Sequence, residues 1–214
     1  MIAAEFVRAV TRLAPVPFLP ELSLYQAGDI YALWEQTERE TGETGLPPPF
    51  WSVAWPGGQA LARYLLDHPA AVAGRSVLDY GSGSGLVAIA ARRAGAAATI
   101  AAEPDPLARA AIDLNAAANG VAAPVCTEDA AALSPVPEVV LAGDVWYEKE
   151  LADRVSAYLD LAASGGARVL TGDIGRTYFP RGRYQCVATY QLPASIALEG
   201  RRTLHASVWE ASPP

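Results

Sequence analysis

Two hydrophobic rhythms alternate along the middle of the chain, and a third takes over near its end. Short apolar runs at 76–78, 96–102, 124–127, 139–142 and 167–170 are separated by stretches in which apolar residues recur at three and four. Leu107, Ala110, Ala111 and Leu114 follow that helical spacing, as do Leu151, Val155, Tyr158, Leu159 and Ala162. Brief apolar runs flanked by turn residues predict buried strands, and the spaced stretches at 86–95, 106–120 and 149–163 predict crossover helices. Beyond residue 183 the period becomes two. Tyr184, Cys186, Ala188, Tyr190 and Leu192 alternate with smaller or polar residues, then Leu204, Ala206 and Val208 do the same. That is an antiparallel pair, and its connection, 193–202, is long enough to cover a site. The expected core is a seven-stranded, mostly parallel α/β sheet with an antiparallel C-terminal pair and helices on both faces.

Upstream, Phe6, Val7, Val10 and Leu13 lie at helical spacing, and Pro15, Pro17 and Pro20 then impose an extended path. A helix is expected over 25–40, with Ile30, Leu33 and Trp34 on one face, then a loop over 42–49. A further helix is expected over 59–67. Residues 1–50 thus read as a helical extension packed on a domain spanning 51–214.

The first predicted strand runs into Asp79-Tyr80-Gly81-Ser82-Gly83-Ser84-Gly85 and then a helix. Strand, glycine turn and helix form the first half of a nucleotide-binding unit. A dinucleotide fingerprint needs G-x-G-x-x-G, but its third glycine position is Leu86. Asp79, two residues before the first glycine, would meet a diphosphate poorly and a cation well. S-adenosylmethionine (AdoMet) carries an ammonium and a sulfonium and no phosphate, so AdoMet is the expected ligand.

Acids recur where later strands end, the edge at which open α/β sheets bind ligands. Glu103 follows the second strand about 20 residues after the glycine turn, where a ribose diol needs an acceptor. Asp105 with Pro106 reads instead as a helix cap. Glu128 and Asp129 follow the third strand, and either could accept from an adenine amine. Asp144, Trp146 and Tyr147 follow the fourth, and Asp173 and Arg176 the fifth. The run 50–59, F-W-S-V-A-W-P-G-G-Q, sets Phe50, Trp51 and Trp55 beside a glycine pair. Phe50 reads as a hydrophobic plug, while Trp55 is open between plug and wall over a cofactor. Asn115 and Asn119 read as helix caps, or, for Asn115, as facing the sheet.

Composition narrows the partners. The chain has 214 residues, 51% of them apolar, with a net charge of −7. Such acidity disfavours nucleic acid and anionic membranes. Cys126 and Cys186 have no metal-ligand spacing and read as reduced core thiols, while His68 and His205 are isolated, so no metal site is expected. Reduced thiols fit a cytoplasmic protein; no apolar run reaches the length of a membrane span, and the N-terminus lacks a signal-peptide pattern.

The runs F-W-S-V-A-W-P-G-G-Q-A-L-A-R-Y-L-L-D, S-V-L-D-Y-G-S-G-S-G-L-V-A-I-A-A, L-N-A-A-A-N-G-V, G-D-V-W-Y-E-K-E-L-A-D and G-D-I-G-R resemble the seven-β-strand protein-lysine methyltransferases, which share the class I AdoMet-dependent fold. Within them the chain is most similar to the branch that methylates the β subunit of electron transfer flavoprotein, in its bacterial form. The similarity runs from about Pro20 to Trp209. The W-P-G-G loop, Trp55 to Gly58, and the D-x-x-Y element, Asp144 and Tyr147, are specific to that group, whereas the glycine turn is shared by all class I methyltransferases. The resemblance implies that Trp55, the turn with Asp79, Gly81, Ser82, Gly83 and Gly85, and Glu103 contact AdoMet, and that Asp144 and Tyr147 lie at the substrate lysine as the catalytic pair. The third-strand acid does not align cleanly, so Glu128 remains a rival to Asp129 for the adenine; from their place at strand ends Asp129 and Asp144 are expected toward AdoMet, and Trp146, Tyr147, Asp173 and Arg176 toward the substrate. Two departures stand out: Glu103 where relatives carry Asp, and Ile174 where relatives often carry Pro. The implied protein acts as a monomer on a protein lysine. A small-amine or pyridine N-methyltransferase is the alternative enzyme, and a non-catalytic AdoMet-binding protein the alternative outside catalysis. No N-P-P-Y motif is present, which argues against nucleobase methylation.

Overall fold

A computed structural model describes residues 3–212. The outer limits of the two expected segments, residues 1–2 and 213–214, lie outside it. The chain opens with α1 (Ala3–Val10), a hairpin of β1 (Arg12–Val16) and β2 (Leu19–Gln26), and α2 (Ile30–Thr41). The α/β body follows as α3 (Pro56–Asp67), β3 (Ser76–Tyr80), α4 (Leu86–Arg93), β4 (Ala98–Ala102), α5 (Pro106–Ala118) and β5 (Val125–Thr127). It continues through β6 (Val139–Gly143), α6 (Lys149–Ser164), β7 (Arg168–Asp173), β8 (Tyr184–Pro193), α7 (Ile196–Glu199) and β9 (Thr203–Ala211).

The seven-stranded sheet has the order β5-β4-β3-β6-β7-β9-β8. The first five of these run parallel; β9 is antiparallel to β7, and β8 to β9. Successive residues of the central strands feed opposite faces. Val77, Val139, Leu141 and Leu170 join the core beneath α3 and α4, while Leu78, Val140, Ala142 and Val169 join the one beneath α6. Burial on both faces explains why these strands read as unbroken apolar runs. The chain winds outward from β3 to β5 and then returns to place β6 on the other side of β3. That reversal puts the switch-point crevice at the tips of β3 and β6.

The N-terminal segment departs from its expected helical character. Leu13 lies in β1 and is exposed, and Tyr25 lies in β2, so the second helix starts at Ile30 behind an Asp29 cap. Prolines 15 and 20 sit within the isolated two-stranded ribbon, where missing donors cost little. Asn115 on α5 and Asn119, which caps its C-terminus, bind this ribbon. Asn115 Oδ1 accepts the Tyr25 N–H at 2.7 Å, and Asn119 Oδ1 accepts the Ser23 N–H at 3.0 Å. Four helical residues rise about 6 Å and two strand residues about 6.7 Å, so the two spacings match. Asn115 Nδ2 also donates to the Ser84 carbonyl at 2.8 Å, tying the ribbon to the glycine turn.

Cys126 is only half-buried, and Cys186 is exposed on the edge strand β8 beside a bulge. Neither is a core thiol; both edge strands leave their side chains partly to solvent. No described helix is long and apolar enough to cross a membrane, and no cluster of described residues could hold a metal ion.

Candidate active site

At the glycine turn the chain must reverse between β3 and α4. Gly81, Gly83 and Gly85 all have positive φ, and a Cβ on Gly85 would press on Ile112 at 3.1 Å. The turn is braced from beneath by Asp79, which is buried. Its Oδ2 accepts the Ser82 hydroxyl at 2.6 Å and the Ala88 N–H at 3.1 Å. Burial raises its pKa to about 7, against the pull of those two donors. Glu103, at the tip of β4, reaches back to the turn. Its Oε2 accepts the Gly83 N–H at 2.9 Å and its Oε1 the Asp105 N–H at 3.0 Å. Desolvation raises this carboxyl as well. Asp105 caps α5 through the Leu107 N–H at 2.8 Å, with Pro106 in the first turn. Glu128 is exposed and pairs with Arg109 at 3.1 Å, while Asp129, also exposed, accepts the Ala131 N–H at 2.8 Å.

Beyond the tips of β6 and β7 the motifs W-P-G-G, G-D-V-W and G-D-I-G form one unit. The N-terminus of α3 lies directly on the two strand ends. A Cβ on Gly57 would run into the Gly172 carbonyl, and one on Gly143 would lie 2.9 Å from the Gly58 Cα. Such close backbone approach admits only glycine. Asp144 closes the contact. Its Oδ2 accepts the N–H groups of both Gly57 and Gly58, the latter at 3.0 Å, which α3 cannot satisfy internally. Its Oδ1 faces Arg176 Nη2 at 3.4 Å. To do this Asp144 adopts φ +56, unusual for a residue with a side chain. Burial raises its pKa to about 6, partly countered by Arg176.

Asp173 accepts the N–H groups of Gly175 and, at 2.8 Å, Arg176, while its Oδ2 is buried without a partner. Arg176 Nη2 also reaches Glu199 Oε1 in α7 at 3.1 Å, so the long β8–β9 connection does fold over the strand tips.

The aromatic residues separate into two groups. Tyr147 is 44% exposed, and Phe50 packs edge-on against it at 5.4 Å and against Trp55 at 5.6 Å. Trp55 Nε1 donates to the Phe50 carbonyl at 2.8 Å. Phe50 is therefore part of an open aromatic rim and not a plug. The plug is Trp51, 2% exposed, among Phe6, Val7, Leu33, Ala111 and Leu114. Trp146 needs correction as a substrate-facing residue. It is fully buried, donates to Thr171 Oγ1 at 3.0 Å, and packs on Phe179 and Tyr184 beneath α6. Consecutive residues after a strand point to opposite faces, so an exposed Tyr147 puts Trp146 in the core.

The structure thus brings Asp144, Arg176 and the W-P-G-G segment together, and separately joins Asp79, Glu103 and the glycine turn. Sequence reasoning missed the roles of Gly143 and Gly172, although the repeated Gly-Asp at two strand ends was a visible signal. It also missed Glu199, which lies in a connection with no motif.

Comparison with known proteins identifies the family and the fold. Residues 60–144 match the family model described as Ribosomal protein L11 methyltransferase (PrmA). The chain is 40% identical over 170 residues to the electron transfer flavoprotein beta subunit lysine methyltransferase of Danio rerio, an alignment covering 76% of this chain and 66% of that protein. It is 35% identical over 216 residues to the protein of that name from Xenopus laevis, covering 98% and 87% respectively. Among solved structures, a ribosomal protein L11 methylase from Lactobacillus delbrueckii subsp. bulgaricus superposes with a TM-score of 0.52 at 20% identity, covering 73% of this chain and 78% of that one. The fold is that of the class I methyltransferases.

Proposed function

The chain belongs to the family of the electron transfer flavoprotein β subunit lysine methyltransferases, and on that premise we propose that it transfers a methyl group from AdoMet to a lysine of that flavoprotein subunit. The observation that carries this reading is the set of buried carboxylates at the switch point. Asp79, Glu103 and Asp144 all have raised proton affinity through burial. Asp144 already has Arg176, but Asp79 and Glu103 are buried with no ion-pair partner among the described residues, and a cation bound beside them would offset their desolvation, so the residues fit AdoMet.

AdoMet, when bound, supplies an electrophilic methyl on a sulfonium. The glycine turn and Glu103 would hold it, Glu103 through the ribose hydroxyls, with Trp55 as an aromatic wall and Asp129 as the acid for the adenine amine. Asp79 acts through the turn that it braces. On the acceptor side, Tyr147 would line the approach of the lysine stem together with Phe50. Asp144 has both oxygens engaged within the protein, which suits it to a fixed negative charge better than to a mobile proton carrier. Positive charge grows on the amine nitrogen as the new bond forms, and a preorganised anion stabilises it. A lysine ammonium ordinarily titrates at ~10.4, and its proton leaves to solvent along the open rim. Asp173 and Arg176 support Asp144 from the neighbouring strand tip.

We further place the protein in the cytoplasm as a monomer that acts on protein and not on nucleic acid, in keeping with its net charge of −7 and unpaired cysteines. Incubating the purified chain with labelled AdoMet and purified flavoprotein β subunit, then mapping the modified peptide, tests the reading. Label on a lysine of that subunit is the expected result. Label confined to small molecules of a cell extract would overturn it.

A further inference from the structure

The connection between β8 and β9 forms a small lobe. Its base is closed by the Ala194 N–H donating to the Arg202 carbonyl at 2.9 Å. Within it α7 is held by its own turn bonds, Glu199 to Ser195 at 2.8 Å and Gly200 to Ile196 at 2.9 Å. None of the α7 residues is buried, and Ile196 is largely exposed. The lobe therefore has little apolar anchorage of its own. The Glu199 side chain is the exception, only 9% exposed, with Oε1 against Arg176 Nη2 at 3.1 Å. The same guanidinium nitrogen faces Asp144 Oδ1 at 3.4 Å, and Asp144 in turn holds the start of α3. The Arg176 backbone N–H is fixed by Asp173 at 2.8 Å, so the guanidinium is presented from a rigid turn.

A carboxylate removed from water needs a cation, and Arg176 supplies it. One guanidinium nitrogen thus connects a surface lobe to the buried acid beside the aromatic rim. We propose that Glu199 is a positioning residue for the methyl-transfer step: through Arg176 it latches the 193–202 lobe onto Asp144 and keeps the acceptor side of the site in one shape. This rests on the methyltransferase reading above. The latch is a charge-assisted contact between side chains largely withdrawn from water, strong enough to hold the lobe in place beside the acceptor side of the site.

Two substitutions test it. Glu199→Gln keeps size and a hydrogen-bonding oxygen but removes the charge, and Glu199→Asp keeps the charge. Hydrogen exchange over 195–201 is read by mass spectrometry in the full-length chain, and steady-state kinetics are measured with the flavoprotein β subunit. With Glu199→Gln, exchange in the lobe should be about tenfold faster while α3 and β6 keep their protection. The KM for the protein acceptor should rise about tenfold with the KM for AdoMet unchanged, and Glu199→Asp should recover most of both effects. Unchanged exchange in the lobe, an equal rise in both KM values, or no recovery by Glu199→Asp would overturn the latch. A wild-type chain that transfers nothing to the flavoprotein subunit would overturn the functional reading instead, and the exchange experiment would then decide the latch alone.

Discussion

Asp144 accepts the backbone N–H of Gly57 across 87 positions of sequence, and so supplies the missing cap of a helix that it does not belong to. Removing it should have separable costs. Asp144→Ala leaves two helix N–H groups without their partner, leaves Arg176 with Glu199 alone, and keeps a Cβ at φ +56. About 3 kcal/mol of stability should be lost. Asp144→Gly loses the same contacts without the backbone strain and should be about 1 kcal/mol more stable than the alanine variant. Urea denaturation compares the two. Both should bind AdoMet by calorimetry and fail to methylate; transfer surviving in either would remove Asp144 from the reaction.

Gly57 and Gly58 are neighbours with opposite constraints. A Cβ on Gly57 meets backbone at Gly172 and the Asp144 carboxylate at 2.6 Å, whereas one on Gly58 finds only the Val87 Cγ2, at 3.9 Å. Gly57→Ala should cost roughly 3 kcal/mol or more, because backbone cannot step aside. Gly58→Ala lies at an allowed helical position and should be neutral or gain up to about 1 kcal/mol from helix propensity. Thermal melts of the pair settle whether the glycine contact or merely a flexible loop explains the W-P-G-G segment.

The parts of this fold that were legible are those whose burial is two-sided. The stretches Val77–Leu78, 139–142 and Val169–Leu170 are apolar because both faces are covered, and no local ambiguity survives that. The N-terminal ribbon was hidden because Pro15 and Pro20 suggest extended coil, and only its pairing partner makes it a strand. The start of α3 was hidden for a different reason. Pro56-Gly57-Gly58 looks like a turn, and its cap comes from Asp144, so no local signal marks it. The acids of the candidate site were findable from their place at strand ends. Their direction was not: Trp146 and Tyr147 are adjacent in sequence, and only packing decides which one faces water.

That division predicts opposite phenotypes for the two aromatics. Trp146→Ala opens a large void beneath α6 and removes the indole donor from Thr171 Oγ1, which keeps its bond to the Ala142 carbonyl; the void should cost about 3–5 kcal/mol. Trp146→Phe should cost less and leave transfer by the folded protein intact. Tyr147→Ala removes an exposed ring that touches Phe50. Its stability should change by less than about 1 kcal/mol, while kcat/KM for the protein acceptor falls by at least about tenfold. Parallel melts and kinetics separate packing from chemistry, and a catalytically silent Tyr147→Ala would place the acceptor elsewhere.

The buried acids make AdoMet binding a proton-linked event. Asp79 titrates near 7 and Asp144 near 6 in the folded protein, both above the ordinary carboxylate range because burial disfavours their charged forms. A raised folded-state pKa means that the native chain binds more protons than the unfolded one between about pH 4 and 7. The contribution of these two groups to stability therefore falls as pH rises through that window and stays low above it. A cation bound at the switch point favours the ionised carboxylates and offsets that loss. The rise in melting temperature caused by saturating AdoMet should be larger at pH 8 than at pH 5.5, and binding near pH 6.5 should release protons. Calorimetry in two buffers of different ionisation enthalpy counts those protons. Asp79→Asn, which cannot ionise, should reduce the release; an unchanged count would mean that the acid beneath the glycine turn is already ionised without the ligand.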